Sequence, residues 1–370
     1  MKIVRKLSII VLIAAMLAPS CKTEEVSGRT KLLDCLKASV DAGKILYGHQ
    51  DDLCYGHAWK VEDPAADELI RSDVKDVCGK YPAMLGLELG EIELGGDKSL
   101  DAVPFVLIRR AALKQVERGG VVTFSWHPRN PLTGDTAWDV SSDQVVASIL
   151  EGGENHAKFM GWLQILGDFF DTLRDADGKR IPFIFRPWHE NTGSWFWWGQ
   201  KLCTREQYLA LWQLTFDYMV KERGFDNILW CFSPNMDVDA DGYMERYPGD
   251  EIIDVMGFDA YTYVMEDAAT QDAACKEFTA KLAWSLEFLT RLGKEHKKII
   301  ALSETGLESF EYPTWWMETL YPAIKDYPIA YVLTWRNAWD KPEHFFGPWK
   351  GFKYEDDFKI FAELEQIVLI

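Results

Sequence analysis

Ile181-Pro-Phe-Ile-Phe-Arg-Pro-Trp-His-Glu190 is a short apolar run that ends in polar side chains. Lys298-Ile-Ile-Ala-Leu-Ser-Glu304 has the same form. Apolar runs of this length, rich in β-branched and aromatic residues, read as strands buried on both faces. The form recurs at Lys44–His49, Pro82–Leu89, Gly120–His127, Asn227–Ser233, Asp254–Tyr261 and Ile329–Trp335, which with Pro182–His189 and Lys298–Glu304 makes eight runs. Amphipathic stretches predict helices between them: Asp101–Arg118, Ser141–Arg174, Arg205–Arg223, Ala274–His296 and Trp315–Lys325, with Asp356–Ile367 closing the chain. Strands alternating with helices predict parallel βαβ units. Eight such units predict an α/β fold, a single (β/α)8 TIM barrel. A doubly wound open sheet is the alternative, but no Gly-rich phosphate turn follows any strand.

In such a barrel the chemistry lies at the C-terminal ends of the strands. Those ends carry His49-Gln50-Asp51-Asp52, Glu88 and Glu91, Trp126-His127, Arg186 to Asn191, Ser233-Pro-Asn235, Asp259-Ala-Tyr261, Ser303-Glu304 and Trp335-Arg336-Asn337. A barrel that was only a scaffold needs no such concentration of polar and aromatic groups. Glu190 and Glu304 fall on the fourth and seventh runs, roughly opposite each other across the mouth. An unpaired carboxylate at the end of a buried strand is costly, so the pair suits an acid/base and a nucleophile flanking one glycosidic bond. His189, Trp188 and Trp195 are expected to raise the pKa of Glu190 by desolvation, and Arg186, Tyr261 or Asn235 to hold Glu304 ionised. Trp195, Trp197 and Trp198 follow Glu190 on one loop, and indole faces stack on sugars.

The chain has 370 residues, of which 48% are hydrophobic, and a formal charge of -18 with no basic tract. Nucleic acid is therefore excluded as a partner. There is no GxSxG, Walker or HExxH motif, and no metal or cofactor is expected. Asp237, Asp239 and Asp241 alternate as in a calcium loop, but no Glu follows at the required spacing. At the N-terminus, Lys2, Arg5 and Lys6 precede the apolar stretch Leu7–Leu17, too short to span a membrane as a mature helix. Ala18-Pro-Ser-Cys21 resembles a lipoprotein cleavage site. The expected division is a signal peptide at 1–20, a lipidated tether at 21–30 and one catalytic domain at 31–370. That predicts a monomer, lipid-anchored through Cys21 in the periplasm or on the outer surface of a Gram-negative cell. Six cysteines remain after Cys21, with no CxxC spacing, and their connectivity stays open.

Arg186-Pro-Trp-His189-Glu190-Asn-Thr-Gly-Ser-Trp195-Phe-Trp197-Trp198-Gly resembles the acid/base segment of glycoside hydrolase family 26. Gly48 to Asp52 with Tyr55-Gly56, Ser125-Trp-His127-Pro, Gly257 to Tyr261, Leu302 to Gly306 and Thr334 to Asn337 are similar to that family's segments, in the same order. The resemblance implies a retaining hydrolase, most often an endo-β-1,4-mannanase acting on mannan without a cofactor. It implies Glu190 as acid/base, Glu304 as nucleophile, His189 as the residue ordering the acid/base, and Tyr261 as a donor to the nucleophile. It also implies Trp335 as the floor of the -1 subsite with His127 shaping it, Trp195 on the +1 side and Arg336 toward the -2 sugar. The leader resembles those of Bacteroidota glycan-utilisation systems. Two features depart from the family: the acidic segment Leu85–Gly96, and the long Cys54–Asp63 and Asp97 loops. Loops of that kind are expected to close one end of the cleft and favour release of mannobiose. The alternatives are a β-glucanase or β-1,3-xylanase of the same family, and, in another class, a non-catalytic glycan-binding lipoprotein.

Overall fold

The computed structural model of the chain describes residues 26–309 and 312–370. The apolar leader and Cys21 lie outside these residues. Each expected run contains a strand: β1 (Ile45–Gln50), β2 (Met84–Glu88), β3 (Val121–Ser125), β4 (Phe183–Arg186), β5 (Ile228–Phe232), β6 (Val255–Thr262), β7 (Ile299–Leu307) and β8 (Ile329–Thr334). Each pairs in parallel with the next. β8 pairs in parallel with β1, with Leu46 opposite Tyr331, and so closes a (β/α)8 barrel. Closure removes both sheet edges, and helices cover the outside.

Two sets of apolar side chains result from this closure. One fills the barrel: Leu46, Met84, Ile184, Leu229, Val255, Ala301 and Leu333 point inward from successive strands. Helix α1 (Gly28–Asp41) joins this inner set through Leu32 and Leu36. α1 begins within the stretch expected to be tether, because Ser27 caps it by accepting from the Thr30 N–H. Arg29 then pairs with buried Asp254 beside β6. The second, larger set lies between the strands and the outer helices, which include α2 (Asp73–Cys78) and α3 (Phe105–Glu117).

The chain departs from the expected helices in several places. Ser141–Arg174 is two helices, α4 (Val145–Ile149) and α5 (His156–Asp171), because Gly152 turns the chain at φ 84°. Arg205–Arg223 holds α6 (Arg205–Asp217), started by a capping box between Thr204 and Gln207, and then a wide turn over Tyr218–Glu222. Two further helices follow, α7 (Ala240–Glu245) and the long α8 (Ala268–His296). The last expected helix stops at Glu363, and Ile367 is instead strand, paired beside Ile45 of β1. The cysteines Cys35, Cys54, Cys78, Cys203, Cys231 and Cys275 are all free thiols.

Candidate active site

Glu190 is aimed by a strained turn. After β4 ends at Arg186, Trp188 and Glu190 both adopt left-handed backbone, φ 53° and 52°. For residues with a Cβ this costs about 1–2 kcal/mol each. The surroundings hold the strain in place. The Tyr208 hydroxyl donates to the Trp188 carbonyl at 2.7 Å, and Trp198 Nε1 to the His189 carbonyl at 2.7 Å. The Glu190 N–H donates to the Ser233 carbonyl on the next strand at 2.8 Å. The turn sends the Trp188 ring into the core and the side chains of His189 and Glu190 toward the barrel mouth. Strain that neighbouring groups over-determine in this way is common at functional sites.

Glu304 is aimed by a bulge. β6 and β7 pair regularly up to Phe258 opposite Leu302, but Asp259 then faces Glu304, leaving Ser303 as the extra residue. Without it, strict alternation would turn Glu304 outward with Leu302. Ser303 is tied down by donating to the Phe258 carbonyl and, at 2.8 Å, to Asp259 Oδ1. Gly257 makes room for it: a Cβ there would lie 2.5 Å from Ser303 Oγ.

The turn and the bulge bring three carboxylates together. One oxygen each from Glu190, Asp259 and Glu304 lie within 4.8 Å of one another. Such a set is able to hold a cation, and Arg186 already supplies one from below. Its Nη1 donates to Asp259 Oδ2 at 2.7 Å and its Nη2 to Glu304 Oε1. Tyr261 donates to the other Glu304 oxygen at 2.7 Å. Glu304 thus accepts from two donors. Glu190 has one side-chain donor, Trp195 Nε1 at 2.6 Å. Burial, and then the charge of Glu304, push the Glu190 carboxyl up to about 7. Trp195 acts in the opposite sense to the sequence-based expectation, because its N–H favours the ionised form. Burial also pushes Asp259 up, with Arg186 opposing and Glu304 and Glu190 adding to the push. Asn235, expected near Glu304, is elsewhere: its N–H donates to Thr192 Oγ1 at 3.0 Å, beyond the Glu190 turn.

A histidine pair forms one wall. Glu88, at the end of β2, accepts from the His127 N–H at 2.9 Å and lies 2.8 Å from His127 Nδ1. Burial disfavours a charged His127 ring, yet Glu88 pushes its pKa above that of an ordinary histidine. His127 Nε2 faces His189 Nε2 at 2.9 Å. Burial, with Arg186 and His127 adding to it, pushes His189 well below its usual value, so His189 is the neutral member. Trp138 stacks parallel on His127 at 5.3 Å, and Trp335 approaches the same ring edge-on at 6.3 Å.

Residues 23–304 match the sequence profile of Glycosyl hydrolase family 26. The chain belongs to this family. It is 29% identical over 339 residues to a mannan endo-1,4-beta-mannosidase of Bifidobacterium adolescentis, covering 86% of this chain and 33% of that one. The chain therefore spans about a third of that relative's length. Among solved structures, a GH26 beta-mannanase from Bacteroides ovatus superposes with a TM-score of 0.86 at 44% identity, covering 94% of this chain and 96% of the other. An endo-beta-1,4-mannanase double mutant from Cellulomonas fimi gives 0.80 at 30%, covering 93% and 76%.

The family 26 cleft is a cavity of about 480 Å³, with Glu190, Glu304, His127, Trp195, Tyr261 and Trp335 on its walls. A larger hollow, about 930 Å³, lies on the barrel flank beside α3, away from the carboxylates and without an aromatic ring in its lining. Trp197 and Trp198 are fully buried and support the loop rather than face the cleft. Arg336 lies toward β1 and β2. It pairs with Asp101 at 2.9 Å and reaches the Tyr55 hydroxyl, which donates to Asp51. The long loops after β1 and β2 thus meet around Arg336. The acidic segment after β2 proves structural: buried Glu93 accepts from Trp126 Nε1 and the Arg129 N–H, and Glu91 pairs with Arg129. Asp239 serves as the cap of α7, accepting from the Gly242 N–H. Phe196, Tyr263, Val264 and Phe346 also line the cleft and were not singled out from sequence. Each is an apolar residue on a loop, and only the short tryptophan spacing marked any such loop in advance.

Proposed function

We propose that the chain is a retaining β-1,4-mannanase. The observation that carries this reading is the approach of Glu190 and Glu304 to within 4.8 Å, with Glu190 raised to about 7 and Glu304 accepting from Arg186 and Tyr261. Retaining pairs stand about 5–5.5 Å apart, whereas inverting pairs leave about 6.5–9.5 Å for a water. Glu190 gives its proton to the glycosidic oxygen as a Glu304 oxygen bonds to the anomeric carbon and the C–O bond to the leaving sugar breaks. Once it has lost its proton, Glu190 is the carboxylate base that the second step requires. Glu190 then takes a proton from water, whose oxygen displaces Glu304 and restores both carboxyls. Arg186 and Tyr261 hold Glu304 in its attacking orientation. His189, neutral and 2.9 Å from His127, orders the Glu190 side of the cleavage point. Trp335 is the floor under the reacting sugar, and Trp195 lines the leaving side. No cofactor enters the scheme.

The names of the relatives support mannan as the substrate. Relative rates on mannan, lichenan and β-1,3-xylan test it, with mannan expected to be fastest. Faster cleavage of lichenan or β-1,3-xylan would reassign the substrate, and binding without turnover would make the chain a glycan-binding protein. The junction of Arg336, Asp101 and Tyr55 supports closure of the end opposite Glu190, and with it mannobiose as the main early product. Cys21 supports a lipid anchor on a monomer, tested by the loss of membrane association in Cys21→Ser.

A further inference from the structure

Tyr263, Val264 and Met265, just after β6, are 68%, 48% and 38% exposed, an apolar run in open solvent. Contiguous apolar exposure beside a cleft is a common mark of a ligand-binding surface. The run is not loose. Buried Gln271 holds both of its ends: its Nε2 donates to the Tyr263 carbonyl at 3.1 Å, and its Oε1 accepts from the Met265 N–H at 2.8 Å. Asp267 caps α8 directly behind it. A rigid aromatic face loses little entropy when a ring settles on it.

Tyr263 also joins two spaces. It lines the cleft together with Glu190 and Trp195. It equally lines an adjoining groove of about 160 Å³, whose amide and charged side chains are Asn235, Asp237, Glu277 and Lys281. This groove lies beside β5 and β6, next to the Glu190 turn, where Thr192 and Asn235 bond to each other. Arg336 and Asp101 stand across the mouth, beside β8 and β2. The groove is therefore on the side from which the leaving sugar departs, given Glu190 as the acid.

We propose that Tyr263 is the stacking platform for the second sugar on the leaving side, one beyond the sugar at Trp195. This rests on the retaining mannanase reading. The flat apolar face of a pyranose lies on the phenol ring, and its hydroxyls face the carboxylates and the ammonium group of the groove. Tyr263 thus sets how many leaving-side sugars contribute to the rate, which makes it a specificity residue.

The test is the ratio of kcat/KM for β-1,4-mannotetraose to that for mannotriose, in wild type, Tyr263→Ala and Tyr263→Phe. With two rings on the Arg336 side of the cut, the longer sugar reaches the platform with its last ring and the shorter ends at Trp195, so only the longer gains the platform without giving up a ring on the other side. Tyr263→Ala should lower the ratio about five- to tenfold, while Tyr263→Phe, which keeps the ring, should retain it. An unchanged ratio in Tyr263→Ala, or the same loss in Tyr263→Phe, overturns the proposal and leaves the catalytic reading intact. Turnover of neither sugar by wild type overturns the substrate reading and this proposal with it. Because each variant is compared with itself on two substrates, a loss of folded protein cancels from the ratio.

Discussion

Trp195→Phe isolates one bond at Glu190, the proposed acid. The indole N–H donates to Glu190 Oε2 at 2.6 Å, and phenylalanine keeps a ring there but not the donor. A hydrogen bond to a charged group contributes about 1.5–3 kcal/mol. Solvent competes at a ring that is 40% exposed, which lowers this to about 1 kcal/mol. The bond favours the ionised carboxylate, so its loss favours the protonated one. At about 1.4 kcal/mol per pKa unit, Glu190 should rise by about 0.7 unit from its value near 7. As the acid must be protonated to act, activity falls as pH rises through this pKa. The alkaline limb of kcat/KM against pH should therefore move upward by that amount in the variant. Lost sugar contact lowers the whole curve without moving its limb, so the two effects separate. An alkaline limb that stays in place, or moves to lower pH, would refute the assignment of Glu190 as the acid.

Removing the Glu190 carboxyl itself has a different signature. Glu190→Ala should reduce mannan hydrolysis about 10²–10⁴-fold, yet lose far less in the first step with an aryl mannoside, whose leaving group needs no proton. Added azide should then capture the sugar from Glu304 with its anomeric configuration retained, and failure of azide to react would count against a covalent intermediate. Gly257→Ala tests the bulge, because its Cβ would crowd Ser303 Oγ at 2.5 Å. A shift of Glu304 by about an ångström should reduce kcat about a hundredfold. Retention of kcat in a folded Gly257→Ala protein would show that the bulge does not aim the nucleophile.

The barrel was legible because its strands are buried on both faces and therefore stand out as apolar runs. The two glutamates were legible for the same reason, as charges at the ends of such runs. What aims them was not. The bulge at Ser303 depends on the pairing of β6 with β7, a contact between segments distant in sequence. The left-handed backbone at Trp188 and Glu190 falls on residue types that seldom adopt it. Glu88 was visible as a strand-end carboxylate, but its partner His127 lies on the next strand. The Tyr263 platform sits in a loop with no periodicity, and its rigidity comes from Gln271 on the following helix. Helix ends were misread where glycines break a pattern, at Gly152, or where a terminal apolar residue finds a sheet partner, at Ile367.

The central claim is double displacement by Glu190 and Glu304, and the configuration of the first product tests it most directly. Proton NMR of a mannan oligosaccharide digest, recorded from the first minutes, distinguishes the anomers before they equilibrate. Two displacements at one carbon predict that the new reducing end appears first as the β-anomer, with the α-anomer growing in only by mutarotation. Appearance of the α-anomer first would mean a single displacement by water, and would contradict the account.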